Sequence, residues 1–140
     1  MQVFCKAENL QVTGSFKIRG ALSAISRLTD EQLKKGVLAY SSGNHAQGVA
    51  KAAHCYGTKA TIVMPKDAPS IKIAKTQSLN PKIIFYDRES EIREEIGAKI
   101  ADKNGLTIIK PYDAMETIYG QGTAALEAIK QTPNVFDIAL

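Results

Sequence analysis

The chain has 140 residues, 44% of them hydrophobic, enough for one ordinary core or for two small lobes sharing one. No run reaches the roughly 18 apolar residues of a membrane span, and Met1-Gln2-Val3-Phe4-Cys5-Lys6 lacks the regions of a signal peptide, so a cytoplasmic setting without a membrane partner is expected. The net charge of +4 comes from lysines dispersed among acids, without an arginine-rich run or basic–aromatic interleaving, which argues for a solvated surface and against a nucleic-acid partner.

In chain order, Val3-Phe4-Cys5-Lys6-Ala7-Glu8 resembles a strand already under way. Cys5 and Cys55 form no C-x-x-C pair and are expected to be small buried or half-buried side chains. Residues 18–28 carry Ala21, Leu22, Ile25 and Leu28 at helical spacing. Thr29-Asp30-Glu31-Gln32 has the form of a capping box, opening a further helix. Val37-Leu38-Ala39-Tyr40 reads as a buried strand, and residues 44–56 as a small, apolar helix that Gly57 can end.

Ala60-Thr61-Ile62-Val63-Met64 is the next strand, stopped by Pro65. Pro69 suits the first turn of a helix running to about residue 79. Lys82-Ile83-Ile84-Phe85-Tyr86 follows as a strand, then a helix whose stripe is Ile92, Ile96 and Ile100 and which Gly105 closes. Leu106-Thr107-Ile108-Ile109 is a fourth strand, residues 122–131 a last helix, and residues 135–140 the start of one more strand. The alternation predicts an α/β fold: a parallel open sheet with flanking helices, whose ligands bind at the carboxyl ends of the strands.

Ser41-Ser42-Gly43-Asn44-His45 lies at such an end, after the first clear strand. Gly43 permits close backbone approach, the following helix offers unpaired N–H groups, and the hydroxyls and amide add donors for a carboxylate or phosphate. The simpler alternative is capping of the helix by Ser42 or Asn44. Lys17 stands at another helix start, where the local field favours anions and lowers its pKa, as a Schiff-base lysine needs. The alternative there is an ordinary exposed lysine.

Gly120-Gln121-Gly122-Thr123-Ala124-Ala125 has the form of a dinucleotide fingerprint. It lacks the preceding strand and the following acid, and is read as close backbone packing at a helix start. His45 and His54 have no spacing that suits a metal, so no metal site is expected. His45 is read as a polar contact near a ligand, and His54 as a surface or packing residue.

Taken jointly, these segments resemble one family. Asn9-Leu10-Gln11-Val12-Thr13-Gly14-Ser15-Phe16-Lys17-Ile18-Arg19-Gly20-Ala21 resembles the cofactor-lysine segment of the threonine dehydratase and serine racemase family, pyridoxal-phosphate enzymes of the tryptophan-synthase-β fold type (fold type II). Ser41 to Ala50 resembles that family's substrate-carboxylate loop. Ile62-Val63-Met64-Pro65, Pro111-Tyr112-Asp113 and the segment from Gly120 to Glu127 resemble further segments in order, so the likeness covers nearly the whole chain.

The resemblance implies a set of roles. Lys17 would hold pyridoxal 5′-phosphate as a Schiff base and move the substrate α-proton, with Phe16 packed beside the cofactor. Asn44 would hydrogen-bond the pyridine 3-oxygen, and Ser41, Ser42, Asn44 and His45 would grip the substrate carboxylate. The implied reaction is elimination from L-threonine or L-serine to a 2-oxo acid and ammonia. Ser42 could act as a second acid opposite Lys17, which racemisation needs and elimination does not, so a serine racemase is the alternative. A non-catalytic module that binds a small ligand or partner is an alternative of another class.

The resemblance also implies a small domain over residues 40–119, with residues 1–39 and 120–140 as pieces of a large cofactor domain, and an oligomeric parent enzyme. The family's glycine-rich phosphate loop would follow Ala139-Leu140. The chain is therefore expected to be a fragment that neither binds the cofactor tightly nor turns over substrate alone.

Overall fold

A computed structural model describes residues 3–132. The strand expected at residues 135–140 lies outside them. Two short 3-10 turns, Glu8–Leu10 and Val12–Gly14, lead into α1 (Lys17–Ile25) and α2 (Asp30–Lys35). Then follow β1 (Val37–Tyr40), α3 (Asn44–Cys55), β2 (Ala60–Pro65), α4 (Ser70–Gln77), β3 (Lys82–Tyr86), α5 (Arg93–Asn104), β4 (Thr107–Ile108) and α6 (Met115–Gln131).

Local chemistry accounts for several boundaries. Thr29 accepts a hydrogen bond from the Gln32 N–H while the Gln32 side chain accepts one from the Thr29 N–H, closing the expected capping box at the start of α2. Asp30 and Glu31 in its first turn and Lys34 and Lys35 in its last complement the helix dipole. Gly105, at φ +65°, ends α5 in the left-handed conformation that a side chain disfavours.

The four strands form one parallel sheet in the order β3-β2-β1-β4. Alternate residues face opposite sides. Val37, Ala39, Ala60, Ile62 and Met64 pack with Ile18, Ala21 and Ile25 of α1 and Ala46, Val49 and Ala53 of α3. On the other face Leu38, Tyr40, Val63, Tyr86 and Ile108 pack with Ile96 and Ile100 of α5. Gly97 brings α5 down on the sheet, since a Cβ there would fall 2.9 Å from the Tyr40 ring.

Three expectations need correction. Residues 3–8 form no strand: Lys6 and Glu8 instead anchor the segment by charge to α6 and α1. Cys5 and Cys55 are exposed rather than buried. The last helix begins at Met115, so Gly120-Gln121-Gly122 lies inside α6 rather than at its start. Packing overrides the low helix propensity of Gly120. A Cβ on Gly120 would collide with the Arg19 carbonyl oxygen and come within 2.7 Å of the Gly20 Cα, so the two glycines let α6 and α1 cross in close contact.

Candidate active site

Strand order places the site. From β1 the chain adds β2 and then β3 on one side, and returns to add β4 on the other. The segments leaving β1 and β4 therefore lie side by side at the carboxyl edge, where ligands of open α/β sheets bind. Residues 41–43 leave β1 into α3, and residues 109–114 leave β4 into α6.

Lys17 reaches this edge from the turn before α1. Thr13 and Gly14 both have positive φ, +71° and +72°. That conformation is uncommon for a β-branched residue. Lys17 is half-buried, and its amine donates a 2.9 Å hydrogen bond to the Pro111 carbonyl. Phe16, partly exposed, presents its ring 5.2 Å from the same nitrogen. No carboxylate pairs with Lys17 among the described residues. Burial lowers its pKa by disfavouring the charged ammonium.

The turn at residues 41–45 sits against it. Ser41 and Ser42 are half-buried, Asn44 is exposed as the first residue of α3, and His45 is buried. The Ser41 hydroxyl accepts a 3.2 Å hydrogen bond from the Gly43 N–H. Gly43 is the N-cap, no side chain caps α3, and no acidic residue lies in its first turn. Capping by Ser42 or Asn44 therefore does not occur, and the N–H groups of that turn remain open toward an anion. Gly48 brings α3 onto the lysine turn: a Cβ there would lie 3.2 Å from both the carbonyl carbon and oxygen of Lys17.

The segment leaving β4 joins these parts through three successive carbonyls. The Ile109 oxygen is 2.8 Å from His45 Nε2. A carbonyl only accepts, so His45 carries its proton on Nε2, and its buried Nδ1 is left without a partner. Burial, opposed by that hydrogen bond and reinforced by the Lys17 charge, pushes the His45 pKa down and keeps the ring neutral. The Lys110 oxygen accepts from the Thr117 hydroxyl at 3.1 Å. The Pro111 oxygen accepts from Lys17 and, at 3.4 Å, from the Gln121 amide.

All six residues singled out in the sequence thus lie on the lysine turn or on the loop after β1. Sequence reasoning missed Gly48, Thr117 and Gln121, and the anchoring of α1 by Arg19. Arg19 is bonded to both oxygens of Glu8 and both of Glu127, and Lys6 also reaches Glu127. The spacing of Arg19 and Glu127 on their helices gives no signal of this pairing. The G-x-G pattern did mark Gln121, as part of a packing segment.

Known proteins share this sequence and fold. The chain is 53% identical over 131 residues to an L-threo-3-hydroxyaspartate ammonia-lyase of a Pseudomonas species, covering 94% of this chain and 41% of that protein. It is 46% identical over 134 residues to the L-threonine ammonia-lyase of Thermotoga maritima, covering 96% of this chain and 33% of that protein. The structure of maize serine racemase superposes with a TM-score of 0.88 at 42% identity, covering 91% of this chain and 39% of that one. The chain thus spans well under half the length of the relatives it matches. The sequence pattern of the pyridoxal-phosphate dependent enzymes matches residues 1–140, and the chain belongs to that family, with the fold of its fold-type II members.

Proposed function

We propose that this chain is the lysine-bearing part of a pyridoxal-phosphate-dependent ammonia-lyase that removes the β-hydroxyl and amino groups of a hydroxy amino acid, L-threonine or L-serine, to leave a 2-oxo acid and ammonia. One observation carries the reading: a half-buried Lys17 amine, below its usual pKa and without a carboxylate partner among the described residues, shares the strap at residues 109–111 with the uncapped start of α3.

The donor set fits the cofactor. Lys17 would supply the amine for its aldehyde carbon, Phe16 an apolar wall, and Asn44 an amide for the ring oxygen. When bound, the cofactor supplies an electron sink for the carbon that loses its proton. Lys17 takes that proton from the substrate α-carbon. Ser41, Ser42 and Asn44, with the open N–H groups of α3, hold the substrate carboxylate. His45 holds the loop in place, since its Nε2 is committed to the Ile109 carbonyl. In this reading the large domain takes residues 1–39 and 120–140 and the small domain residues 40–119, with α6 continuous across the boundary. The enzyme is cytoplasmic and a homo-oligomer.

The test is an assay of the protein completed to the length of its relatives. Release of ammonia and 2-oxo acid from L-threonine, L-serine or 3-hydroxyaspartate supports the reading when Lys17→Ala abolishes it. Full activity in Lys17→Ala would overturn it. Ser42 favours a second reading, because a half-buried hydroxyl on this loop can deliver a proton that Lys17 does not. On that reading Ser42→Ala loses serine racemisation and keeps elimination, and unchanged racemisation removes it.

A further inference from the structure

We infer that Gln121 is a positioning residue for Lys17: through the Pro111 carbonyl that both contact, it sets how readily the Lys17 amine releases its proton and leaves to form a carbon–nitrogen bond. The inference rests on the reading of Lys17 as the reactive amine, and its test keeps the two apart.

A carbonyl oxygen accepts two hydrogen bonds. Pro111 gives one position to Lys17 at 2.9 Å and the other to Gln121 Nε2 at the longer 3.4 Å. The path of the Gln121 side chain is kept open by Gly20, where a Cβ would fall 2.9 Å from both its Cγ and its Nε2. Gly120 sets the same crossing from the other helix. Two glycines thus seat an amide beside the hydrogen-bond partner of the lysine.

The consequence follows from the chemistry of the step. To join an aldehyde, Lys17 gives up a proton to solvent and its lone pair attacks the carbonyl carbon. A carbon–nitrogen double bond forms and water leaves. The Pro111 oxygen then loses its ammonium donor. With Gln121 present it retains an amide donor; without it, a partly buried carbonyl is stranded, which opposes the departure of Lys17. Gln121 therefore lowers the cost of freeing the amine.

The other groups around Lys17 leave this contact as the adjustable one. His45 on α3 is neutral and bonded to Ile109, Arg19 on α1 is paired with Glu8 and Glu127, and Phe16 offers only a ring face. From α6 the contacts are Thr117 and Gln121, neither of which titrates.

The experiment measures the rate at which acetic anhydride acetylates Lys17 in the 140-residue chain across about pH 7 to 11, read by peptide mass spectrometry. Gln121→Met, similar in length and unable to donate, is expected to raise the midpoint by about half a unit. Gln121→Glu places a carboxylate beside the ammonium and is expected to raise it further. In the same order, pyridoxal 5′-phosphate trapped on Lys17 by borohydride is expected to fall, by several-fold in Gln121→Met. A packing role alone lowers the melting temperature and leaves the midpoint where it was, and an unchanged midpoint in the folded variants overturns the inference. If Gln121→Met does not fold, the Gln121→Glu midpoint decides. Midpoint shifts here together with full activity of Lys17→Ala in the completed protein would sink the cofactor reading and leave the positioning role standing.

Discussion

Arg19 and Glu127 form a two-pronged pair: Nη1 lies 2.7 Å from one carboxylate oxygen and Nη2 2.7 Å from the other. The pair ties α1, two residues beyond Lys17, to α6 across the Gly20–Gly120 crossing. Glu8 takes a second pair of contacts on the same guanidinium, at 2.9 Å each. A planar fork suits this geometry in a way that lysine cannot reproduce.

This pairing makes stability depend on acid. The Arg19 hydrogen bonds, then those of Lys6, hold the Glu127 carboxyl at about 2, below its ordinary 4.5. A carboxyl with a depressed folded pKa contributes stability that is complete above the unfolded value and lost as pH falls toward the folded one. Urea denaturation followed from pH 4.5 to 2 is expected to show this loss in the wild type and a flatter profile in Glu127→Gln. Parallel profiles would remove the pair from the stability of the fold.

His45 controls a second and higher window. Its folded pKa lies below the ordinary 6.5 because the ring is buried. Below 6.5 the unfolded chain binds a proton that the folded ring refuses, so stability is lost as pH falls through that range and is unaffected above it. Thermal melts between neutral pH and mild acid are expected to show this slope, and His45→Gln to reduce it. An NMR titration of the ring gives the direct check.

Gly48 sets the distance between α3 and the lysine turn. Gly48→Ala places a methyl 3.2 Å from the Lys17 carbonyl, which α3 can relieve only by moving away. A loss of about 1–3 kcal/mol is expected in chemical denaturation. Gly43→Ala meets no atom within 4 Å and is expected to change stability by less than about 0.5 kcal/mol. Equal effects at both positions would contradict the packing described.

The two glycines of α6 are expected to respond in opposite directions. At Gly120 an added methyl strikes the Arg19 carbonyl and Gly20, so Gly120→Ala destabilises. At Gly122 it enters open space inside a helix, so Gly122→Ala gains up to about 1 kcal/mol from helix propensity. Melting temperatures of the two variants read the signs. A destabilising Gly122→Ala would argue that α6 starts at that glycine after all.

Much of the fold was legible because its signals are local. The β-branched runs at residues 37–40, 60–64 and 82–86, the Thr29 capping box and Gly105 each act within a few positions. The misreadings share a different cause. Residues 3–8 have strand composition, but Lys6 and Glu8 tie the segment to Glu127 of α6 and Arg19 of α1, away from the sheet. Gly120 and Gly122 resemble a helix start until α1 is packed against Gly120. The cysteines were judged by residue type alone, whereas their exposure depends on which helix and segment surfaces meet solvent.

The sequence by itself determined the parallel α/β architecture and singled out Lys17, Ser41, Ser42, Asn44 and His45, because helix and strand periodicity and turn chemistry operate between near neighbours; Phe16 was marked by the family resemblance alone. Only the tertiary structure decided where those residues meet. Lys17 and the Pro111 carbonyl are 94 positions apart, as His45 and Ile109 are 64 apart. They are joined because the sheet returns to set β4 beside β1, and glycines at 20, 48 and 120 let the helices approach closely enough to hold them there.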